Sequence, residues 1–185
     1  MQHLLVQIAL PEHLKPIVNE NTLSDYGSGR PNSEITSRLG KLTSADVTHQ
    51  PTDQTMANCC LSGLWLLNNC LDRSHDISQT IKSKEGSLWH AMMHRLEGDF
   101  WNSKYWYRKV GPHPVFEQIC LWSQELDSLP NSISDSETWN PEAFVDLCES
   151  VATGNSVSDS ETCHQLEQME WLAAFQFCYA CAVNG

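Results

Sequence analysis

The segment spanning residues 161–182 carries large apolar side chains on nearly every side of a predicted helix. A helix at the protein surface keeps one polar face, so a helix that is apolar nearly all round is expected to be buried. The apolar residues are Leu166, Met169, Trp171, Leu172, Phe175, Phe177 and Tyr179. This pattern predicts a central helix around which the rest of the chain packs.

Six further stretches are predicted as helices from the spacing of their apolar residues and from their start and stop signals. They span residues 54–71, 72–82, 88–97, 103–110, 115–126 and 141–152. From residue 47 onward no convincing alternation of apolar and polar residues indicates a strand. The sequence therefore predicts an all-α fold, an irregular bundle of about six or seven helices.

Small polar residues and glycine set the expected ends of these helices. Thr52 or Asp53 is a suitable N-cap for the first of them, and Ser87 and Asn102 are the expected N-caps of helices 88–97 and 103–110. Gly98 is the expected residue just past the end of helix 88–97. A break in the chain is therefore expected at residues 83–86.

The first part of the chain is harder to interpret. Pro11, Pro16, Pro31 and Pro51 interrupt residues 1–53 too often for a long helix. We predict an irregular N-terminal arm over residues 1–53, packed on a helical domain of residues 54–185.

The charge of the chain is distributed unevenly. All 11 lysines and arginines lie in residues 1–109, whereas residues 110–185 hold 12 acidic residues and no lysine or arginine. Because nucleic acids and anionic membranes are bound by clustered cations, the net charge of −12 disfavours both as partners.

The eight cysteines raise the question of disulfides. No basic residues precede the short apolar run at residues 4–10, and no stretch of about 18 apolar residues could span a bilayer. We therefore expect a cytoplasmic protein whose cysteines are free and mostly buried.

Residues 87–116 are dense in polar and aromatic side chains. They include Trp89-His90-Ala91, His94-Arg95 and Glu97-Gly98-Asp99-Phe100. Together with residues 74–79, this segment resembles a widespread family of uncharacterised proteins that share a Trp-His-Ala…His-Arg…Glu-Gly-Asp-Phe core. The resemblance covers roughly residues 60–120 and implies no particular activity.

The same region also resembles one hairpin of a tetratricopeptide repeat, since a helix, a Gly-Asp-Phe turn and a second helix follow one another in residues 87–110. No second copy occurs at a spacing near 34 residues. A single tetratricopeptide-like hairpin within the bundle is therefore predicted.

A candidate metal site lies on the first helix of this hairpin. At about 100° per residue, His90, His94 and Glu97 fall within a narrow arc beside an apolar face. Two histidines at i and i+4 can bind one divalent transition metal ion, with Glu97 as a third ligand and His75 as a fourth. The alternatives are a ligand-binding site and a structural network in which His90 and His94 bond to Glu97, Arg95 or backbone groups.

The second helix of the hairpin is locally cationic and aromatic. We predict a ligand-binding groove between the two helices, because arginine and lysine bind carboxylates and phosphates. The predicted ligand-binding residues are His90, His94, Arg95, Glu97, Lys104, Tyr105, Arg108 and Lys109. Alternatively, the cations dock within the molecule onto the acidic C-terminal half.

Two functions follow from these patterns. The first is a non-catalytic binding module for an anionic small molecule or an acidic protein segment. The second is a metal-dependent enzyme that uses His90, His94, Glu97 and His75, with Asp99 or Asp76 as a proton carrier. The pattern His-Glu-x-x-His, with its general base after the first histidine, is absent because Ala91 follows His90.

Overall fold

The computed structural model describes residues 10–27, 29–48, 50–126, 128–134 and 138–184. The described part of the chain is helical and contains no strand, which confirms the all-α prediction. The apolar run at residues 4–10 lies outside the described residues, apart from Leu10.

Seven helices of eight residues or more follow one another in the described residues from Gln54 onward, and each corresponds to one of the predicted segments. Three short helices accompany them. In chain order the helices are α1 (Glu20–Ser24), α2 (Ser33–Leu39), α3 (Gln54–Leu67), α4 (Leu71–Ser78), α5 (Lys84–Glu97), α6 (Phe100–Val110), α7 (Pro114–Ser123), α8 (Asn131–Ser134), α9 (Pro141–Ala152) and α10 (Ser160–Asn184).

Two predicted helix starts are wrong. Helix α5 begins at Lys84, because the Ser83 side chain accepts a hydrogen bond from the backbone of Gly86 and caps the helix before Ser87 can. Gly86 lies inside the helix rather than in a break, and a β-carbon there would come within 2.5 Å of the Ile81 carbonyl oxygen.

Helix α6 also starts earlier than predicted. Its N-cap is Asp99, whose side chain accepts a hydrogen bond from the backbone nitrogen of Asn102. Gly98 ends α5 in the left-handed conformation that glycine adopts readily, as predicted. The two helices are thus joined by a very short turn, and the side chain of Asn102 is released from the capping role expected for it.

Helix α10 packs against α3, α5, α7 and α9, as expected for a central helix. Its Trp171 side chain is fully buried and donates a hydrogen bond to the Gly63 carbonyl oxygen of α3, at 2.8 Å. Trp89 of α5 also contacts Gly63, where a β-carbon would come within 2.7 Å of the indole ring. These contacts hold α3, α5 and α10 close together.

The described parts of the arm join the same core. Leu14, Ile17, Tyr26, Leu39 and Val47 are buried and belong to the hydrophobic cluster that includes α10. All eight cysteines are free and five of them are buried, as predicted for the cysteines. Within the described residues, no helix combines the length and the hydrophobicity needed to cross a membrane.

Candidate functional site

Three histidines come together where α4 packs against α5. The ring of His75 lies 4.6 Å from the ring of His90 and 5.5 Å from that of His94, between centroids, and the rings of His90 and His94 are 4.7 Å apart. One ligand nitrogen from each ring lies within 4.8 Å of the other two. We call these residues the histidine cluster.

Helix packing positions the cluster. His90 and His94 share one face of α5 because they are one turn apart. His75 reaches them from α4, which is held against α3 by the buried hydroxyl of Ser62, bonded to the hydroxyl and carbonyl of Ser74. On the side formed by α6, Trp106 packs against His90 with ring centroids 4.1 Å apart.

His94 has a hydrogen-bond partner at each ring nitrogen. Its Nδ1 lies 3.0 Å from the Glu97 carboxylate, and its Nε2 lies 3.1 Å from Nδ2 of Asn102. Because an ionised carboxylate only accepts hydrogen bonds, Nδ1 carries the proton and Nε2 holds the lone pair. Glu97, predicted as a third metal ligand, therefore contacts His94 and is not in the group of converging ligand atoms.

His90 is oriented by Ser78. The Ser78 hydroxyl lies 3.3 Å from Nδ1 of His90 and donates to the His75 carbonyl oxygen, also at 3.3 Å. Since the hydroxyl has one hydrogen, its oxygen is left to accept from Nδ1 of His90. Nδ1 of His90 therefore carries the proton, and Nε2 holds the lone pair.

His90 is neutral at physiological pH. Burial lowers its pKa, and the neighbouring His94, His75, Lys109 and Lys82 lower it further, to about 3. A neutral imidazole is the form that binds a metal ion. The environment therefore keeps this lone pair available well below pH 7.

His75 is the accessible member of the cluster. Its side chain is half-buried, whereas His90 and His94 are buried. Among the described residues, no partner forms a hydrogen bond with its ring nitrogens or with Nε2 of His90. The cluster thus contains buried, oriented imidazoles with one ring near the surface.

The separation of the three nitrogens suits a metal ion after a small adjustment. Zinc binds histidine nitrogens at about 2.0–2.1 Å in tetrahedral geometry, so its ligand atoms lie about 3.4 Å from one another. The nitrogens lie up to 4.8 Å apart, so the distances between them would have to decrease by at most about 1.4 Å. Rotation of the half-buried His75 ring can shorten its distances to the other two rings, and His90 and His94 already lie one turn apart on the same helix.

Arg95, one of the predicted ligand-binding residues, is fully buried instead of facing a groove. Its Nη1 lies 2.5 Å from the Glu170 carboxylate and 2.6 Å from the Tyr107 hydroxyl, and its Nε lies 3.5 Å from Glu167. Burial opposes its charge, but Glu170 and the other acidic groups raise the pKa of Arg95 above its usual value. We call these four residues the arginine network.

Two other cations of the predicted site are paired with the acidic half of the chain. Lys104 forms an ion pair with Asp146, and Arg108 binds both oxygens of Glu142, at 2.5 to 3.1 Å. Both acids belong to α9. The alternative of docking within the molecule is therefore what the structure shows for these two residues.

Lys109 differs from the other two cations of α6, Lys104 and Arg108, which form ion pairs. It has no ion pair among the described residues, and its ammonium lies 4.0 Å from the ring centroid of Trp106 and 4.5 Å from that of Tyr105. Tyr105 in turn stacks on Trp101, whose side chain is 76% exposed, with an angle of 5° between the rings. Lys109, Tyr105 and Trp101 form an exposed row along α6.

The chain matches no protein-family model, no curated protein and no solved structure. The resemblance to a family with a shared Trp-His-Ala core and the likeness to a tetratricopeptide hairpin accordingly stay predictions.

Sequence reasoning missed two residues that contact the cluster, Ser78 and Asn102. Ser78 ends α4, one turn after His75, and a helix that carries His75 on one face also presents residue 78 there. That spacing could have indicated Ser78. Asn102 has the residue type of an N-cap, and only the capping by Asp99 shows that its side chain is free to reach His94.

Proposed function

We propose that the protein binds one divalent transition metal ion through His75, His90 and His94, and that zinc fits this ligand set well. The convergence of three ligand nitrogens within 4.8 Å carries the proposal. Three histidines are an established zinc ligand set in proteins. Glu97 serves as the carboxylate that orients a ligating histidine through its other nitrogen.

The hydrogen bonds of the cluster leave nitrogen lone pairs that a metal ion can bind. Nε2 of His90 and the ring nitrogens of His75 are not among the fully buried atoms that lack a partner, so solvent reaches them. The described residues provide partners for His94, but none for Nε2 of His90 or for the ring of His75. Water can occupy these lone pairs one at a time, and a metal ion would bind them together.

The geometry supports metal binding more directly than it supports a particular reaction. The two acids predicted as proton carriers are not part of the cluster. Asp99 caps α6, and Asp76 is exposed on α4. The proposal is therefore metal binding, and Ser78 and Glu97 are the groups that hold the imidazoles for it.

Metal titration tests the proposal. Protein purified without chelators and protein titrated with Zn²⁺ or Co²⁺ should contain about one equivalent of metal per chain, measured by elemental analysis and by the visible absorption of Co²⁺. The variants His75→Ala, His90→Ala and His94→Ala should each bind at least about 100-fold more weakly.

His164→Ala is the matched control, since His164 lies on α10 outside the cluster. This variant should keep full binding. Less than about a tenth of an equivalent in the wild-type protein under saturating conditions, or equal loss in the control, would contradict the proposal.

A second candidate function is suggested by the exposed row of Lys109, Tyr105 and Trp101. The Lys109 ammonium, which has no ion pair among the described residues, lies over Tyr105, and Tyr105 is parallel to the exposed Trp101. A cation next to exposed rings suits a small planar anion, such as an aromatic carboxylate, which can stack on a ring and be neutralised at once. This is a narrower form of the anionic-ligand hypothesis, because Arg95, Lys104 and Arg108 already bind acids of the protein.

Titration with benzoate tests this second function. Lys109→Ala should lose the binding heat, whereas Lys104→Ala should keep it, because Lys104 is paired with Asp146. Equal binding by the wild-type protein and by Lys109→Ala would reject the second function and leave the metal proposal unaffected.

A further inference from the structure

Asn102 is placed at the edge of the histidine cluster by the start of α6. Its backbone nitrogen donates to the Asp99 carboxylate at 3.2 Å, which fixes the first turn of the helix. Its half-buried side chain extends across the hairpin to His94. The amide therefore has a defined position relative to the α5 helix.

The direction of the hydrogen bond between Asn102 and His94 follows from Glu97. Glu97 holds the proton of His94 on Nδ1, so Nε2 of His94 is an acceptor. The amide of Asn102 must donate to it, with Nδ2 at 3.1 Å. This N–H group contacts the same lone pair that a metal ion would need.

The amide lies close enough to the cluster to reach a coordination position. Neighbouring ligand atoms around a tetrahedral zinc ion are about 3.4 Å apart. The terminal amide atom of Asn102 is 3.1 Å from Nε2 of His94, on the side where an ion bound to that nitrogen would lie, so a sideways shift off the lone-pair axis would make it a neighbouring ligand. Half a turn about the Cβ–Cγ bond exchanges the amide nitrogen for the amide oxygen, which can bind a cation.

We infer that Asn102 is the fourth protein ligand of the metal site, through Oδ1. In the metal-free protein the amide N–H occupies the lone pair of His94. When the ion takes that lone pair, the amide moves off the Nε2 axis, turns and presents its oxygen to the ion. This inference rests on the proposed metal site and completes a set of three histidines and one asparagine.

The set has a chemical consequence. An amide oxygen is neutral, so the four ligands leave the full charge of the ion uncompensated, and the Glu97 carboxylate lies on the far side of His94. An aspartate at position 102 would add a negative ligand and would also lack the N–H that competes for His94. The substitution Asn102→Asp should therefore strengthen the site.

Metal affinities of two variants test the inference. At pH 8, competition titration with Zn²⁺ and a chromophoric chelator should show Asn102→Ala binding about tenfold more weakly than the wild-type protein. Asn102→Asp should bind at least about tenfold more tightly. The Co²⁺ spectrum of Asn102→Ala should change, because water replaces a protein ligand.

His164→Ala is again the control, since His164 lies on α10 outside the cluster and its loss should leave the affinity unchanged. Unchanged or tighter binding by Asn102→Ala overturns the inference while leaving the three-histidine site intact. If Asn102→Ala fails to fold, unchanged or weaker binding by Asn102→Asp overturns it instead. A wild-type protein that binds no metal overturns both this inference and the proposed function.

Discussion

The arginine network and the histidine cluster start from the same helix, α5, and differ in how their polar groups are paired. In the arginine network, the buried cation Arg95 has the acids Glu167 and Glu170 and the hydroxyl of Tyr107 around it. In the histidine cluster, three groups of the same kind face one another. Opposite charges hold a buried structural network together, whereas convergent lone pairs are what a metal ion requires.

The largest effect is expected from breaking the arginine network. Glu170→Gln leaves the buried charge of Arg95 without its main partner, and removing one member of a buried ion pair costs about 3–5 kcal/mol. Chemical denaturation should show this loss. If the network is structural, metal stoichiometry at the histidine cluster should stay at the wild-type value in the folded variant.

Glu85 of α5 has a buried partner, as Arg95 does. Glu85 lies 3.3 Å from the buried His113, and that hydrogen bond lowers the pKa of Glu85 from 4.5 to about 2. The lowered pKa means that the ionised form is stabilised in the folded protein by up to about 3 kcal/mol. This stabilisation is complete above pH 4.5 and is lost as the pH falls towards 2.

Denaturation of Glu85→Gln and of the wild-type protein between pH 3 and pH 7 measures this effect. The wild-type protein should be more stable near neutral pH, and the difference should decrease steadily below pH 4.5. A difference that stays constant over this range would show that the Glu85–His113 contact does not depend on the charge of Glu85.

At the histidine cluster, we expect the stability of the protein to depend on added metal. A metal ion at a free concentration 100 times its dissociation constant stabilises the folded state by about 2.7 kcal/mol. The melting temperature of the wild-type protein should therefore rise on addition of Zn²⁺, and that of His75→Ala should not. A rise of equal size in both proteins would place the binding elsewhere.

The smallest effect is expected at the surface pairs of α6. Arg108 and Glu142 are both well exposed, and exposed ion pairs contribute about 0–1 kcal/mol. Arg108→Ala should change the free energy of unfolding by no more than this. A loss comparable with that of Glu170→Gln would mean that the contact between α6 and α9 depends on the pair.

The sequence predicted the helices well because their signal is local. Apolar spacing and residues such as Gly98 and Asp53 act within one or two turns, and the structure uses both as expected. The wrong starts at Ser87 and Asn102 have the same origin, because Ser83 and Asp99 offer equivalent caps a few residues earlier. Local signals give the existence of a helix more reliably than its first residue.

The candidate site was only partly accessible to such reasoning. The spacing of His90 and His94 placed both on one face, but the approach of His75 depends on how α4 packs against α5. The pairing of Lys104 with Asp146 connects residues 42 positions apart. No pattern along the chain shows that Lys104 forms an ion pair and that Lys109 has none among the described residues.

The absence of a side chain at Gly63 sets how deeply Trp89 can sit against α3, and Trp89 directly precedes His90. A methyl group at position 63 would lift the indole ring and shift α5 relative to α4. The distance between His75 and His90 would change with it, by a fraction of an ångström or more. The metal affinity of Gly63→Ala would thus report how closely α4 and α5 are packed in the interior.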